Sequence, residues 1–338
     1  MQYRTYEDKG ITLPFKISNA LMRNLYLVVF LITIQSLACP FKLAAQELEP
    51  RALTNLPRGL NFAAIGYAHA SGNILLDPAI PLEDFNGSIN TIVLAYVKSV
   101  NFFGASGKVD VILPFAGGDF TGVFEDEAFT DAYTGFGDLR VRATINLTGA
   151  PSLAPSDFKA YEQKTISGLG VQVFVPIGKY NKEQLPNLGS NRWSLRVNYG
   201  LSHTFDRWLI EAHAGIWLFS PNNNLLGDNK QEQKPLWIAK GNIIRNLGKK
   251  GMWLAFSAGF GYGGEASVND VRIEATISQM RLGLTYALPL STKNALKFTV
   301  GSGIRFKQGS DFDIFGVTFS HLWLGSKRAK TPKNQPKE

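Results

Sequence analysis

A single cysteine, Cys39, among 338 residues excludes an internal disulfide. Histidine is scarce as well. His69, His203, His213 and His321 fall on separate predicted strands, and no pair has metal-ligand spacing, so no metal site is expected. Charged side chains make up 18% of the chain, below the roughly one quarter usual for soluble domains. After residue 40 no apolar run approaches the ~20 residues of a membrane helix, which excludes a helical membrane protein. A phosphate-cradling loop is also missing. Gly259–Gly264 is glycine-rich, but no helical pattern follows it, and no cofactor is expected.

Charge is lacking where a nucleic-acid surface would need it. The formal net charge is +8, but residues 1–45 hold +3 of it and the tail 325–338 holds +4. The body between them is nearly neutral, which excludes a nucleic-acid partner.

What the chain has is alternation. In Asp138-Leu139-Arg140-Val141-Arg142-Ala143-Thr144-Ile145-Asn146-Leu147, polar and apolar residues interleave without a slip. Successive strand residues point to opposite faces, so this segment has one wet face and one apolar face. The pattern recurs and predicts twelve strands. They lie near 60–70, 88–100, 107–117, 136–148, 164–177, 191–203, 207–219, 236–247, 251–263, 277–289, 294–307 and 312–324. Most are long enough for a tilted membrane strand of about 9–11 residues. The connections 71–87, 118–135, 178–190, 220–235 and 264–276 are long and rich in Gly, Asn, Asp and Pro, whereas 308–311 is short. Between them fall short turns such as 204–206, 248–250 and 290–293. Long loops outside and short turns inside are the habit of bacterial outer-membrane barrels. The expected fold is therefore all-β, an antiparallel up-and-down transmembrane barrel of twelve strands. Segment 149–163, broken by Pro151 and Pro155, is expected to form a small plug or a periplasmic helix.

The ends read differently. Arg23 precedes the apolar core Leu25–Ile34, and small residues follow at Ala38, Ala44 and Ala45, the order of a secretory signal. Residues 1–45 are assigned to targeting, with Met22 as an alternative start and acylation of Cys39 as an alternative fate. The barrel occupies 46–324, and 325–338 is a basic, disordered tail.

Parity sorts the strand faces. Leu195, Val197, Tyr199 and Leu201, with Trp193, go to lipid, and Arg192, Arg196 and Asn198 go inward. Likewise Trp208, Ile210, Ala212 and Ile216 face out, with Glu211 and His213 inward, and Leu296 and Phe298 face out, with Lys297, Thr299 and Arg305 inward. A charge at mid-bilayer on the lipid face costs about 2–4 kcal/mol. The expected lumen-lining set is Asp138, Arg140, Arg142, Arg192, Arg196, Glu211, His213, Lys240, Arg281, Lys297 and Arg305. Asp110, Asp138 and Glu211 are expected to pair with Arg140, Arg142, Arg196, Arg281 or Lys240. Trp193, Trp208, Trp253, Phe306, Phe319 and Trp323 sit at strand ends as interfacial rings. Glu83, Asp84, Asp119, Glu125, Asp126, Glu127 and Asp131 gather in the first two outer loops. Solvation explains them, and bridging cations on lipopolysaccharide is the alternative. Ser202-His203 and Ser320-His321 are adjacent, so their side chains point apart and neither forms a dyad.

Several segments resemble one bacterial family, the outer-membrane transporters grouped under the label MetA-pathway of phenol degradation. They are Glu49–Phe62, Leu75-Leu76-Asp77-Pro78, Gly135–Arg142, Val175–Tyr180, Asn187–Trp193 and Gly309–Asp313. The resemblance implies an outer-membrane channel for small hydrophobic or aromatic compounds. The tail after Trp323 departs from the usual aromatic ending of such barrels. The combined expectation is a monomeric passive channel in the bacterial outer membrane, not an enzyme. Its partners would be outer-membrane lipid and lipopolysaccharide, the barrel-assembly machinery and a small-molecule solute. A structural or adhesion barrel acting through its outer loops is the alternative, and a barrel hydrolase is the third.

Overall fold

The computed structural model describes residues 49–74, 83–124, 126–184, 186–248, 251–273, 276–305 and 311–325. The expected signal segment, Cys39, Phe306 and the tail beyond Gly325 lie outside the described residues. In chain order the strands are β1 (Leu60–Asn73), β2 (Glu83–Phe102), β3 (Ala105–Phe124), β4 (Glu127–Phe136), β5 (Leu139–Thr148) and β6 (Thr165–Val175). Next come β7 (Ser194–Phe205), β8 (Trp208–Phe219), β9 (Asn222–Leu225), β10 (Asn229–Gln233), β11 (Leu236–Asn246) and β12 (Trp253–Gly263). The last are β13 (Ala266–Val268), β14 (Val271–Arg272), β15 (Ile277–Pro289), β16 (Asn294–Arg305) and β17 (Asp311–Leu324).

The main sheet closes on itself. Neighbours pair antiparallel through β1, β2, β3, β4 with β5, β6, β7, β8, β11, β12, β15, β16 and β17. Pairing of β1 with β17, from Leu60↔Leu324 to Asn73↔Asp311, completes the ring. Strands β4 and β5 share one place in it. The first pairs with Phe115–Phe124 and the second with Gly107–Ile112 of β3. Between them the Gly137 N–H donates to the Pro114 carbonyl at 3.0 Å. Pro114 has no N–H for a ladder bond, and the partner strand is interrupted beside it. The barrel thus has twelve strands, and each predicted strand corresponds to one of them.

Burial alternates as the pleat requires. Ile65, Leu94, Tyr199, Ile210, Ile243, Phe256 and Phe315 are exposed on the outer face, while Asp110, Gln172, Ser202, Glu211, Asn242 and Ser257 are buried on the inner one. Close packing inside needs small residues. Gly200 stands opposite His213 in register, and a Cβ there would overlap the imidazole ring. The two-residue turn Phe103-Gly104 between β2 and β3 has φ of 52° and 93°. Two positive φ values match the twist of the flanking strands.

The long connections depart from the expectation of plain loops. The stretch 118–135 is mostly hairpin, because β3 runs to Phe124 and β4 starts at Glu127. Asp119, Glu127 and Asp131 are therefore strand residues rather than loop residues. The connections after β8 and β12 build a second sheet, β14-β13-β10-β9. Extending hairpins past the membrane keeps backbone groups paired. Segment 149–163 is neither plug nor α-helix. It carries one 3-10 turn, Asp157–Ala160, and bonds to the short-turn rim through Ser106 N–H to the Ala150 carbonyl (3.0 Å) and Ser152 N–H to the Gly104 carbonyl (2.9 Å).

Leu94 stands between Ile65 and Leu113 and is 50% exposed. Leu94→Arg should lower the unfolding free energy by about 2–4 kcal/mol, read from urea titration in lipid vesicles. A cost near zero would mean that this face does not meet lipid.

Candidate functional site

The residues before β1 enter the barrel and lie across its inner wall as a strap. Glu49 pairs with the Arg142 guanidinium, one contact being Nη2 to Oε1 at 3.1 Å. Arg142 Nε also donates to both Asp110 oxygens at 3.0 Å. Strand register explains that contact, since Asp110 and Arg142 are direct partners across β3 and β5. Two residues on, Arg51 takes a left-handed backbone with φ of 66°. Its N–H donates to Glu211 Oε2 at 2.8 Å, and Asn242 Nδ2 donates to the same oxygen at 3.0 Å. The Arg51 guanidinium donates to Asn246 and lies 5.2 Å from the centre of the Trp253 ring. Leu53 packs with Ile166 and Ala150. The exit is pinned by Asn55 Nδ2 to the Pro151 carbonyl (3.1 Å), Arg58 N–H to the Leu153 carbonyl (2.8 Å) and Ser99 Oγ to the Pro57 carbonyl (2.7 Å). Between Ala52, Thr54, Leu56, Lys108, Thr144 and Asn146 remains a gap of about 10 Å³, room for a single water.

Burial alone would push the Glu49 carboxyl up, but Arg142 beside it, with Lys108 and Lys240, holds it well below its ordinary value of 4.5. The strap is therefore docked by a carboxylate that stays charged at neutral pH.

Toward the long-loop end the inner wall changes character. Arg140 stands opposite Phe174 in register and lies 5.5 Å from its ring centre. Phe174 stacks on Trp217 at 5.0 Å, and Trp217 stacks on Phe219 at 5.4 Å. Arg196, opposite Trp217 in register, is 5.9 Å from that ring and donates to Gln172. Arg192 is 4.9 Å from the Phe219 ring and donates to Gln233 Oε1 at 2.6 Å. Across the barrel Arg281 lies 4.3 Å over Phe312. Phe312 packs with Ile74, Phe85, Ile89, Ala116, Phe120 and Tyr133.

The remaining expected residues have separate placements. Among the described residues Asp138 binds no cation. Its carboxylate accepts from Gly178 N–H (3.0 Å), Ser190 N–H (2.9 Å) and Ser190 Oγ (2.5 Å), tying the β6–β7 connection to the end of β5. Glu211 likewise bonds Arg51 N–H and Asn242, not a cation from the expected set, because the left-handed turn at Arg51 delivers a backbone donor to it. His213 is buried opposite Gly200 and Lys240. Lys297 is half-buried, opposite Ala287 and Thr318. The side chains of Arg305, Glu83, Asp84 and Glu125 lie outside the described residues. Trp193, Phe319 and Trp323 are exposed on the outer face, whereas Trp253 turns inward under Arg51. Sequence reasoning missed the strap and the aromatic stack. Parity offered a signal for the second, since Trp217 shares a face with Glu211 and His213. For the strap the signal was a charged pair, Glu49 and Arg51, just ahead of β1.

A closed antiparallel barrel with an apolar outer band and a charged inner wall defines a bacterial outer-membrane β-barrel. The chain belongs to the family described as "Putative MetA-pathway of phenol degradation", whose model matches residues 68–319. Among solved structures it is similar to the COG4313 outer membrane channel from Pseudomonas putida F1, with 18% identity and a TM-score of 0.68. That match covers 82% of this chain and 100% of the other. The beta domain of the Bordetella autotransporter BrkA gives 11% identity and a TM-score of 0.46, covering 78% of this chain and all of the other. The CymD monoaromatic hydrocarbon channel gives 10% identity and a TM-score of 0.37, covering 81% and 90%. No curated protein matches in sequence.

Arg142→Ala strands both Asp110 and Glu49, so it should destabilise the barrel by about 3–5 kcal/mol. Glu49→Ala should cost clearly less, because Arg142 keeps Asp110. Urea titration of both variants checks the order. Because the Glu49 value is depressed, its docking energy is fully present above 4.5 and fades as pH falls through the lower, folded value. The stability that Glu49 adds, read as the difference between the unmodified protein and Glu49→Ala in urea titration, should therefore be constant above pH 4.5 and shrink only as pH falls further. A loss near neutrality would mean that another group controls the strap.

Proposed function

We propose that this protein is a passive channel for small compounds across the outer membrane, with the segment 49–59 as a displaceable strap in its lumen. The observation that carries the reading is how the strap is held. One ion pair, several hydrogen bonds and one apolar anchor, Leu53, join it to the wall, and none of these contacts belongs to the barrel ladder. The wall can therefore stay intact while the strap leaves. The fold likeness to the Pseudomonas putida F1 outer membrane channel supports the reading, as does the family. The solute would be small, and hydrophobic or aromatic in keeping with the family label. We further propose that the barrel works as a monomer, contacts lipopolysaccharide and lipid, is inserted by the assembly machinery and performs no catalysis. In that reading the histidines are structural. His203 Nδ1 pairs with Thr165 Oγ1 at 2.8 Å, and His321 Nδ1 pairs with Asn294 Oδ1 at 2.7 Å.

Single-channel recording in a planar bilayer tests this. The intact protein should give small, flickering steps, and deletion of 49–57 should raise the steady conductance about tenfold, a change of about 1.4 kcal/mol in the open–closed balance. A silent deletion variant with an intact barrel would remove the channel reading.

A further inference from the structure

The strap explains how the lumen closes, but not why four arginines of the inner wall each lie against an aromatic ring. We propose that the stack on β5–β8 is a binding site for aromatic carboxylates, which this channel selects over neutral aromatics. The inference rests on the channel reading and names the solute class of that channel.

The argument begins with register. Arg140 faces Phe174 and Arg196 faces Trp217 across adjacent strands, so both pairs are fixed by the ladder rather than by loop conformation. Phe174, Trp217 and Phe219 form one continuous stack with interplanar angles of 23° and 28°. A guanidinium held over a ring has in-plane N–H groups that a carboxylate can meet with two parallel bonds. Arg192 also donates to Gln233 and Arg196 to Gln172, which hold both guanidinium groups beside the stack.

A separate observation concerns Trp217. Its Nε1 is buried and has no hydrogen-bond partner among the described residues. A buried indole N–H normally finds an acceptor, and a carboxylate oxygen supplies one. A ring on the stack with its anionic oxygens on the guanidinium edges would satisfy both requirements. A neutral hydrocarbon would satisfy only the first, and an aliphatic acid only the second.

The test uses the full-length protein in proteoliposomes, with benzoate, benzyl alcohol and cyclohexanecarboxylate as probes. Benzoate should enter about tenfold faster than either of the others, the range that one desolvated cation–π or charge-assisted contact gives. Arg140→Gln should abolish most of that preference, bringing benzoate entry down toward that of benzyl alcohol. Arg140→Lys keeps the charge without the flat fork and should give an intermediate preference. Trp217→Leu should bring benzoate down toward cyclohexanecarboxylate. Heat-modifiable mobility on gels confirms that each variant is a folded barrel. Equal entry of benzoate and benzyl alcohol in the unmodified protein would overturn the proposal alone, and so would a full benzoate preference in Arg140→Gln. Entry of no probe, with and without residues 49–57, would overturn the channel reading and this proposal together.

Discussion

Every backbone N–H and C=O in the hydrocarbon layer must find a partner within the protein, and that requirement governs the rest of this structure. A sheet with an edge cannot meet it, so β1 returns to β17 over fourteen paired positions, from Leu60↔Leu324 to Asn73↔Asp311. Once the ring is closed, side-chain parity is locked, because a slip of one residue would turn every inner charge toward lipid. The arrangement tolerates one defect, at Pro114, and handles it locally by splitting the neighbouring strand and giving the proline carbonyl to Gly137. Closure also limits the lumen. A ring of twelve strands is narrow enough for inner side chains to reach one another and a strap across it. Asp110, Gln172, Glu211 and Asn242 are accordingly almost fully buried although they face a lumen.

That narrowness sets the terms for the strap. Removing charge from water is costly, and a buried pair is justified only when its hydrogen bonds are complete. Arg142 meets this condition by serving two carboxylates, Asp110 through Nε and Glu49 through its terminal nitrogens. Glu211 has a different solution, receiving a backbone N–H that only a left-handed Arg51 can offer. Holding a non-glycine residue there costs of order 1–3 kcal/mol. The strap is thus held by strong but separable contacts against a wall whose own stability comes from its ladder.

Strand positions were legible in the sequence to within a few residues because lipid outside and polar groups inside write a period of two, as in Asp138–Leu147. The same rule failed beyond the membrane. There β3 and β4 continue as a hairpin and β9, β10, β13 and β14 form a second sheet, in segments whose Gly, Asn and Asp content reads as loop. No hydrophobic contrast exists where both faces are wet. Partner choice was legible only where strand register decides it. Asp110 with Arg142 follows from adjacency of β3 and β5. Glu211 with Arg51 joins residues 160 positions apart through a turn conformation, and local pattern carries no trace of it. Asp138 is similar, since its partners, Gly178 and Ser190, belong to a connection whose path depends on the finished barrel.

The two inner zones differ in a way that bears on transport. Near the short turns, acids and bases alternate across the wall, with Asp110, Glu49 and Glu211 set among Arg142, Lys108 and Lys240, so charge is largely cancelled and the strap completes the balance. Near the long loops, arginines lie over aromatic rings and donate to the amides of Gln172 and Gln233. A solute arriving from the long-loop end meets the aromatic, cationic zone before it meets the strap. In the proposed channel, selection and closure belong to different residues of the same strands, Arg140 and Arg142 on β5 and Trp217 and Glu211 on β8, so the ladder fixes the spacing between the two zones.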